Sequence, residues 1–187
     1  IGGVDATKLV SRELTPDSSD MLLDIGCGIG GPARFIAAGT GCHVTGIDLT
    51  KSFVKTGNLL SQLVALDSKV KLQAGNATAL TFPDNNFDAA YMIHVGMNIT
   101  EKDQLIGEVA RVIRPGGRFV IYDVMQILDG ALTYPLPWAE NERASAVSSP
   151  SMYLEALDKA GFVSTPPQDK RDFALQFLDR FAKKRAE

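Results

Sequence analysis

Between Leu22 and Asp48 the chain runs from a short apolar stretch, through a glycine cluster, to a second apolar stretch that ends on an acid. Few folds accommodate that order. Met21 to Ile25 reads as a buried strand, Gly26 to Gly31 as a tight turn, and Pro32 as an early helical position where a missing N–H costs nothing. His43 to Asp48 then reads as a second strand, and the alternation continues. Thr50 is placed to cap a helix carrying Phe53, Val54, Leu60 and Val64, and Val70 to Ala74 alternates like a strand near a sheet edge. A turn at Pro83 to Asn86 precedes a strand over Phe87 to Ile93. Thr100 with Asp103 resembles a capping box for a helix lined by Leu105, Ile106, Val109 and Val112, which Arg114-Pro115-Gly116-Gly117 ends.

Phe119 to Val124 is a fifth strand, Ser149-Pro150 starts another helix, and Phe162 to Thr165 has the composition of a short sixth strand. Residues 5 to 14 form an amphipathic helix ahead of the first strand. The tail from Arg171 has helical spacing, with Ala174, Phe177, Leu178 and Phe181 on one side and Lys183, Lys184 and Arg185 at its end. Strands alternating with helices over short connections imply an α/β fold. The sheet is expected to be doubly wound and mostly parallel, with helices on both faces. The chain is expected to be a single domain over residues 1–187, with 126–148 a lid or substrate loop.

Composition narrows the function. A formal net charge of −3 argues against a surface built for nucleic-acid phosphates, so no nucleic-acid partner is expected. No apolar run approaches the roughly 20 residues that cross a bilayer, so no integral membrane segment is expected. Cys27 and Cys42 read as reduced thiols of a cytoplasmic protein. No Cys/His cluster has metal-ligand spacing, so no metal is expected.

Ligands of doubly wound sheets bind beyond the C-terminal strand ends. Gly26, Gly28 and Gly30 form G-x-G-x-G there, and Gly31 also completes the dinucleotide pattern G-x-G-x-x-G. Asp24 is placed to orient this loop or to reach a ligand amino group through water. Asp48, about twenty residues downstream, is placed to grip two ribose hydroxyls.

The runs LDIGCGIGGPARFIA, VTGIDLT, GNATALTFPDNNFD and EVARVIRPGGRFVIYDV occur in order over residues 20–125. Together they resemble the small-molecule class I (Rossmann-like) S-adenosylmethionine (SAM) dependent methyltransferases, a group that includes enzymes of quinone biosynthesis, sterol methylation and glycine or sarcosine methylation. The resemblance implies that SAM is bound and its methyl group passed by in-line displacement to a small organic acceptor, with S-adenosylhomocysteine as product. It places Gly26, Cys27, Gly28 and Gly30 against the methionine part, Asp48 on the ribose and Leu49 near the adenine. Asn76 and Ala77, with Thr78 beside them, would bind the adenine amine, Asn76 accepting from it where many members have Asp.

His94-Val95-Gly96-Met97-Asn98 would face the sulfonium, Gly96 allowing close approach. His94 would bind the cofactor or act as a base, and Asn98 would orient the acceptor. Met97, Tyr122 and Trp138 are further candidates for the acceptor pocket. The family's seventh, antiparallel strand has no counterpart here, so the protein is expected to continue beyond Glu187. Two alternatives stand beside this reading. One is a non-catalytic SAM-binding module. The other is an NAD(P)-dependent oxidoreductase, although Tyr91, Tyr122, Tyr134 and Tyr153 each lack the Lys four residues on that short-chain dehydrogenases use.

Overall fold

The computed structural model describes residues 1–128 and 130–185. Its five strands, β1 (Met21–Ile25), β2 (His43–Asp48), β3 (Val70–Ala74), β4 (Phe87–Ile93) and β5 (Ile113–Tyr122), form one sheet in the order β3-β2-β1-β4-β5. Every pairing is parallel. Six α-helices connect or flank them: α1 (Gly3–Leu14), α2 (Gly31–Thr40), α3 (Lys51–Leu63), α4 (Lys102–Val112), α5 (Pro150–Lys159) and α6 (Arg171–Arg185). The side chains of Phe181, Lys184 and Arg185 lie outside the described residues.

Because successive residues of a strand face opposite sides, β1 supplies both cores. Leu23 and Ile25 pack with Leu105, Ile106, Val109 and Val112 of α4 and with Tyr153 and Ala156 of α5. Leu22 packs on the other side with Val10 and Leu14 of α1, Ile36 and Ala37 of α2 and Val54 of α3. Leu22, Leu23 and Ile25 are all fully buried. Burial of that kind contributes roughly 1.5–3 kcal/mol per side chain, which is why the apolar run ahead of the glycines becomes a central strand. At the sheet edge, the Asn58 side chain of α3 donates to the Leu72 carbonyl at 2.8 Å and accepts from the Leu72 N–H at 2.9 Å. This amide takes the place of a further strand and blunts the free edge of β3.

Four local expectations are corrected. Residues 162–165 form no strand. The Phe162 N–H returns to the Leu157 carbonyl to close α5, Val163 is fully exposed, and Pro166 and Pro167 lack donors for a ladder. Thr50 occupies the N-cap of α3 but makes no capping bond through its side chain. Thr100 and Asp103 form no capping box: Glu101 is the N-cap of α4, and Asp103 pairs with Lys159 at 2.8 Å. Finally, β5 begins at Ile113 and ends at Tyr122, with a register shift opposite Phe87 and Ala89 that absorbs the Pro-Gly-Gly turn.

Candidate functional site

A cleft of about 560 Å³ opens at the C-terminal ends of β1 to β4, within the range of small-molecule sites. It lies where the strand order reverses between β1 and β4. Its floor is the loop between β1 and α2. Gly28 adopts φ +54°, and a Cβ there would meet nothing within 4 Å, so the backbone faces open space. The Gly28 N–H donates to Asp48 Oδ2 at 2.9 Å, and the Thr50 N–H donates to Asp48 Oδ1 at 2.8 Å. Each carboxylate oxygen is thereby fixed by one backbone donor and keeps a further lone pair. Such a carboxylate is built to accept from two adjacent hydroxyls.

One wall holds Leu49, Phe53, Asn76, Ala77 and Thr78. Leu49 is 74% exposed, apolar surface that a flat ring would cover. Asn76 differs from its expected role. Its Oδ1 accepts from both the N–H and the hydroxyl of Thr78, each at 3.0 Å. Both lone pairs are thus in use, and the amide offers a ligand its NH2 as donor rather than an acceptor.

The opposite wall holds His94, Val95, Asn98, Ile99 and Glu101. His94 adopts φ +58°, a left-handed conformation uncommon for residues other than glycine. Its N–H is held by the Tyr122 carbonyl at 2.9 Å, its ring stands edge-on to Tyr122 with centroids 5.1 Å apart, and its Nε2 lies 2.8 Å from the Ile1 carbonyl oxygen. Nδ1 is sealed from solvent with no partner. Burial pushes the imidazole pKa below its usual value, only partly opposed by the bond to Ile1, so the ring is neutral near pH 7.

The cleft therefore gathers Gly26, Gly28, Asp48, Leu49, Asn76, Ala77, His94 and Asn98 from the expected set. The other candidates lie elsewhere. Gly30 faces Leu72, whose Cδ1 would stand 2.7 Å from a Cβ there; it makes room for β3 rather than for a ligand. Cys27 is 5% exposed, its side chain packed over Gly46, and burial raises its thiol pKa. Gly96 is small because the Tyr153 hydroxyl and Asp123 Oδ2 would lie 2.5 and 2.8 Å from a Cβ. Met97 is 5% exposed and does not line the cleft. Tyr122 lines a separate groove against α1 and α5. Trp138 is half-buried and lies outside the cleft lining. Asp24 lies beneath the loop at 2% exposure.

Phe53 and Glu101 line the cleft without having been singled out as site residues, whereas Val95 lies in the segment expected to face the ligand. Phe53 falls in the first turn of α3 and reads in sequence as one more apolar helix position. Glu101 reads as an ordinary polar residue ahead of α4.

The wall at 94–99 is held from behind. Asp123 Oδ2 accepts from the Met97 N–H at 2.8 Å and from the Tyr153 hydroxyl at 2.7 Å. The Lys102 ammonium, on a residue 5% exposed, donates to the carbonyls of Ile99 and Ala146 and lies over the Tyr153 ring. The Ala146 N–H closes on the Met97 carbonyl at 2.6 Å. One buried cation thus ties the cleft wall to the segment that follows β5.

A family model described as a methyltransferase domain matches residues 23–121. The chain is 33% identical over 165 residues to a sterol 24-C-methyltransferase of Eremothecium gossypii, covering 83% of this chain and 43% of that one. Among solved structures, phosphoethanolamine N-methyltransferase 2 of Haemonchus contortus in complex with S-adenosyl-L-methionine superposes with a TM-score of 0.83. It is 22% identical, over 98% of this chain and 43% of that one. The [4+2]-cyclase SpnF superposes with a TM-score of 0.74 at 29% identity, over 83% of this chain and 56% of that one. The chain spans less than half the length of the curated relatives it matches.

Proposed function

Because this chain belongs to the class I SAM-dependent methyltransferase family, we propose that it binds SAM in the cleft above β1 to β4 and methylates a small organic acceptor. The observation that carries this reading is the Asp48 carboxylate, pinned by the N–H groups of Gly28 and Thr50 beside open space at Gly28. An adenosyl ligand fits what these residues offer. Asp48 accepts from the ribose diol, the exposed Leu49 and Phe53 cover the purine, and the Asn76 NH2 donates to a ring nitrogen.

The chemistry the cofactor supplies is an electrophilic methyl group on a sulfonium leaving group. The chain's task is then to orient the acceptor and exclude water, since holding reactants in line contributes about 7–11 kcal/mol. Val95 and Ile99 give the cleft apolar surface on the side of His94 and Asn98, where the acceptor is placed. Neutral His94, held by the Tyr122 and Ile1 carbonyls, forms part of this wall, and Asn98 offers an amide to a polar acceptor. Residues 126–148 serve as a lid or substrate loop. Two unpaired, buried thiols favour a cytoplasmic setting, and no helix among the described residues is long and apolar enough to cross a membrane.

Calorimetric titration with SAM, S-adenosylhomocysteine and NADH tests the cofactor. Micromolar binding of the first two without NADH is expected; NADH binding alone would overturn the reading. Turnover is tested by S-adenosylhomocysteine release with a sterol and with phosphoethanolamine as first acceptors. The likeness to the cyclase SpnF favours, as a second reading, a SAM-binding protein that transfers no methyl group. In that case both titrations succeed and no acceptor in a broad screen yields S-adenosylhomocysteine.

Replacing His94 by alanine removes one hydrogen-bonding group from the wall, so SAM affinity or turnover should fall about three- to tenfold. Parent values for both would make His94 a structural residue.

A further inference from the structure

Asp24 is a carboxylic acid without a counter-charge. It sits on β1 opposite Gly46 of β2 and Tyr91 of β4, one row below the glycine loop. Gly46 has no side chain, and Cys27 folds back over it with Sγ 2.8 Å from where a Cβ would stand. The carboxyl is thus roofed by Cys27, flanked by the fully buried Tyr91, and 2% exposed. Its Oδ2 and the Tyr91 hydroxyl are both sealed from solvent, with no partner beyond one another.

The titratable groups that face it from the surrounding elements are the Tyr91 phenol on β4, the Cys27 thiol in the loop and the Asp48 carboxylate on β2. All three are neutral or negative. None of the ion pairs among the described residues includes Asp24. An apolar residue would suit this position better in a protein that bound nothing here, because a buried ionised carboxylate needs a partner.

We propose that Asp24 is a proton-linked counter-ion: a neutral carboxyl in the ligand-free protein that releases its proton to solvent when a cationic ligand settles over Gly26 and Gly28. The inference rests on the reading of the cleft as a SAM site, since SAM brings an ammonium and a sulfonium to that loop. Only the carboxyl O–H bond breaks, and the proton goes to the buffer. The protonated starting state follows from burial first, with the negative Asp48 adding to it. Together they outweigh the opposing effect of the Tyr91 hydroxyl and push the Asp24 pKa up to about 8.

The sign follows from linkage. The ligand-free protein holds a proton that the complex lacks, so affinity rises with pH below about 8 and the rise ends above it.

The test is titration with SAM at pH 7 in buffers of different ionisation enthalpy, on the parent and on Asp24→Asn. For the parent, the slope of observed enthalpy against buffer enthalpy should correspond to release of about one proton per ligand. For Asp24→Asn, which keeps the neutral shape of the acid, the slope should vanish and affinity should fall at least about tenfold as the counter-charge is lost. SAM binding by the parent without buffer dependence overturns the linkage and leaves the SAM site intact. A slope that persists in a folded Asp24→Asn assigns the proton to another group and also overturns it. If the variant fails to fold, the parent's slope still decides, read together with the rise in affinity between pH 6 and 8 (about tenfold per pH unit where the proton is released). No SAM binding by the parent in any buffer removes the site reading itself, and the linkage with it.

Discussion

Asp48→Ala is expected to weaken SAM binding at least about a hundredfold, corresponding to about 3 kcal/mol, while the protein stays folded. The magnitude comes from two losses. The first is a pair of charge-assisted hydrogen bonds to adjacent ribose hydroxyls, each worth roughly 1.5–3 kcal/mol. The second is preorganisation: the carboxylate links the Gly28 N–H to the Thr50 N–H, so its removal frees both the glycine loop and the first turn of α3. Asp48 sits at the rim of the sheet rather than in either core, so the melting temperature should move little. Asp48→Asn separates the terms, because its amide keeps one acceptor but presents N–H groups to a backbone donor; an intermediate loss is expected. Equilibrium titration with SAM measures all three proteins. Unchanged affinity in Asp48→Ala would show that another group holds the ribose.

The second large effect divides two glycines that look alike in sequence. Gly26→Ala should destabilise the fold by about 2–5 kcal/mol, from about 1–2 for a left-handed residue with a Cβ and about 1–3 for overpacking. Gly26 has φ +67°, and a Cβ there would lie 2.3 Å from one Val95 methyl and 2.6 Å from the other. Gly28→Ala carries the backbone cost, about 1–2 kcal/mol, but no overpacking, because nothing lies within 4 Å. Its methyl instead projects into open space beside Asp48, so SAM affinity should fall while the stability loss stays at that smaller backbone cost. Urea denaturation and SAM titration on both variants separate the two outcomes. Adding Val95→Ala to Gly26→Ala should restore the overpacking part, as contacting residues couple. Equal stabilities for the two single variants would mean that Val95 does not set the requirement at Gly26.

Much of the site was legible because it is local. Gly26, Gly28 and Asp48 lie at the ends of apolar runs whose length and spacing mark them as strands, and the sheet brings those ends together. The fourth motif was legible for another reason. Glu108 and Arg111 bind the backbone of the 80–84 loop, Arg111 through the carbonyls of Leu80 and Phe82 at 2.9 and 2.8 Å, so two of the motifs are one structural unit. Gly30 shows what the local pattern leaves open. Gly30, Gly46 and Gly57 all make room for Leu72, which stands 2.3–2.7 Å from where their Cβ atoms would be. A glycine reads the same in sequence whether a ligand or a distant side chain needs the space.

The sequence by itself determined the parallel α/β order, the position of the glycine loop and the acid at the end of β2. These depend on periodicity and turn chemistry within about twenty residues of chain. Only the tertiary structure decided that Gly26 answers to Val95, that Met97 and Gly96 are braced by Asp123 and Tyr153, and that Asp24 is enclosed without a counter-charge. Several of these contacts join residues far apart along the chain. What fills the space around a side chain is set by whichever element packs there, and the local pattern carries no record of that neighbour.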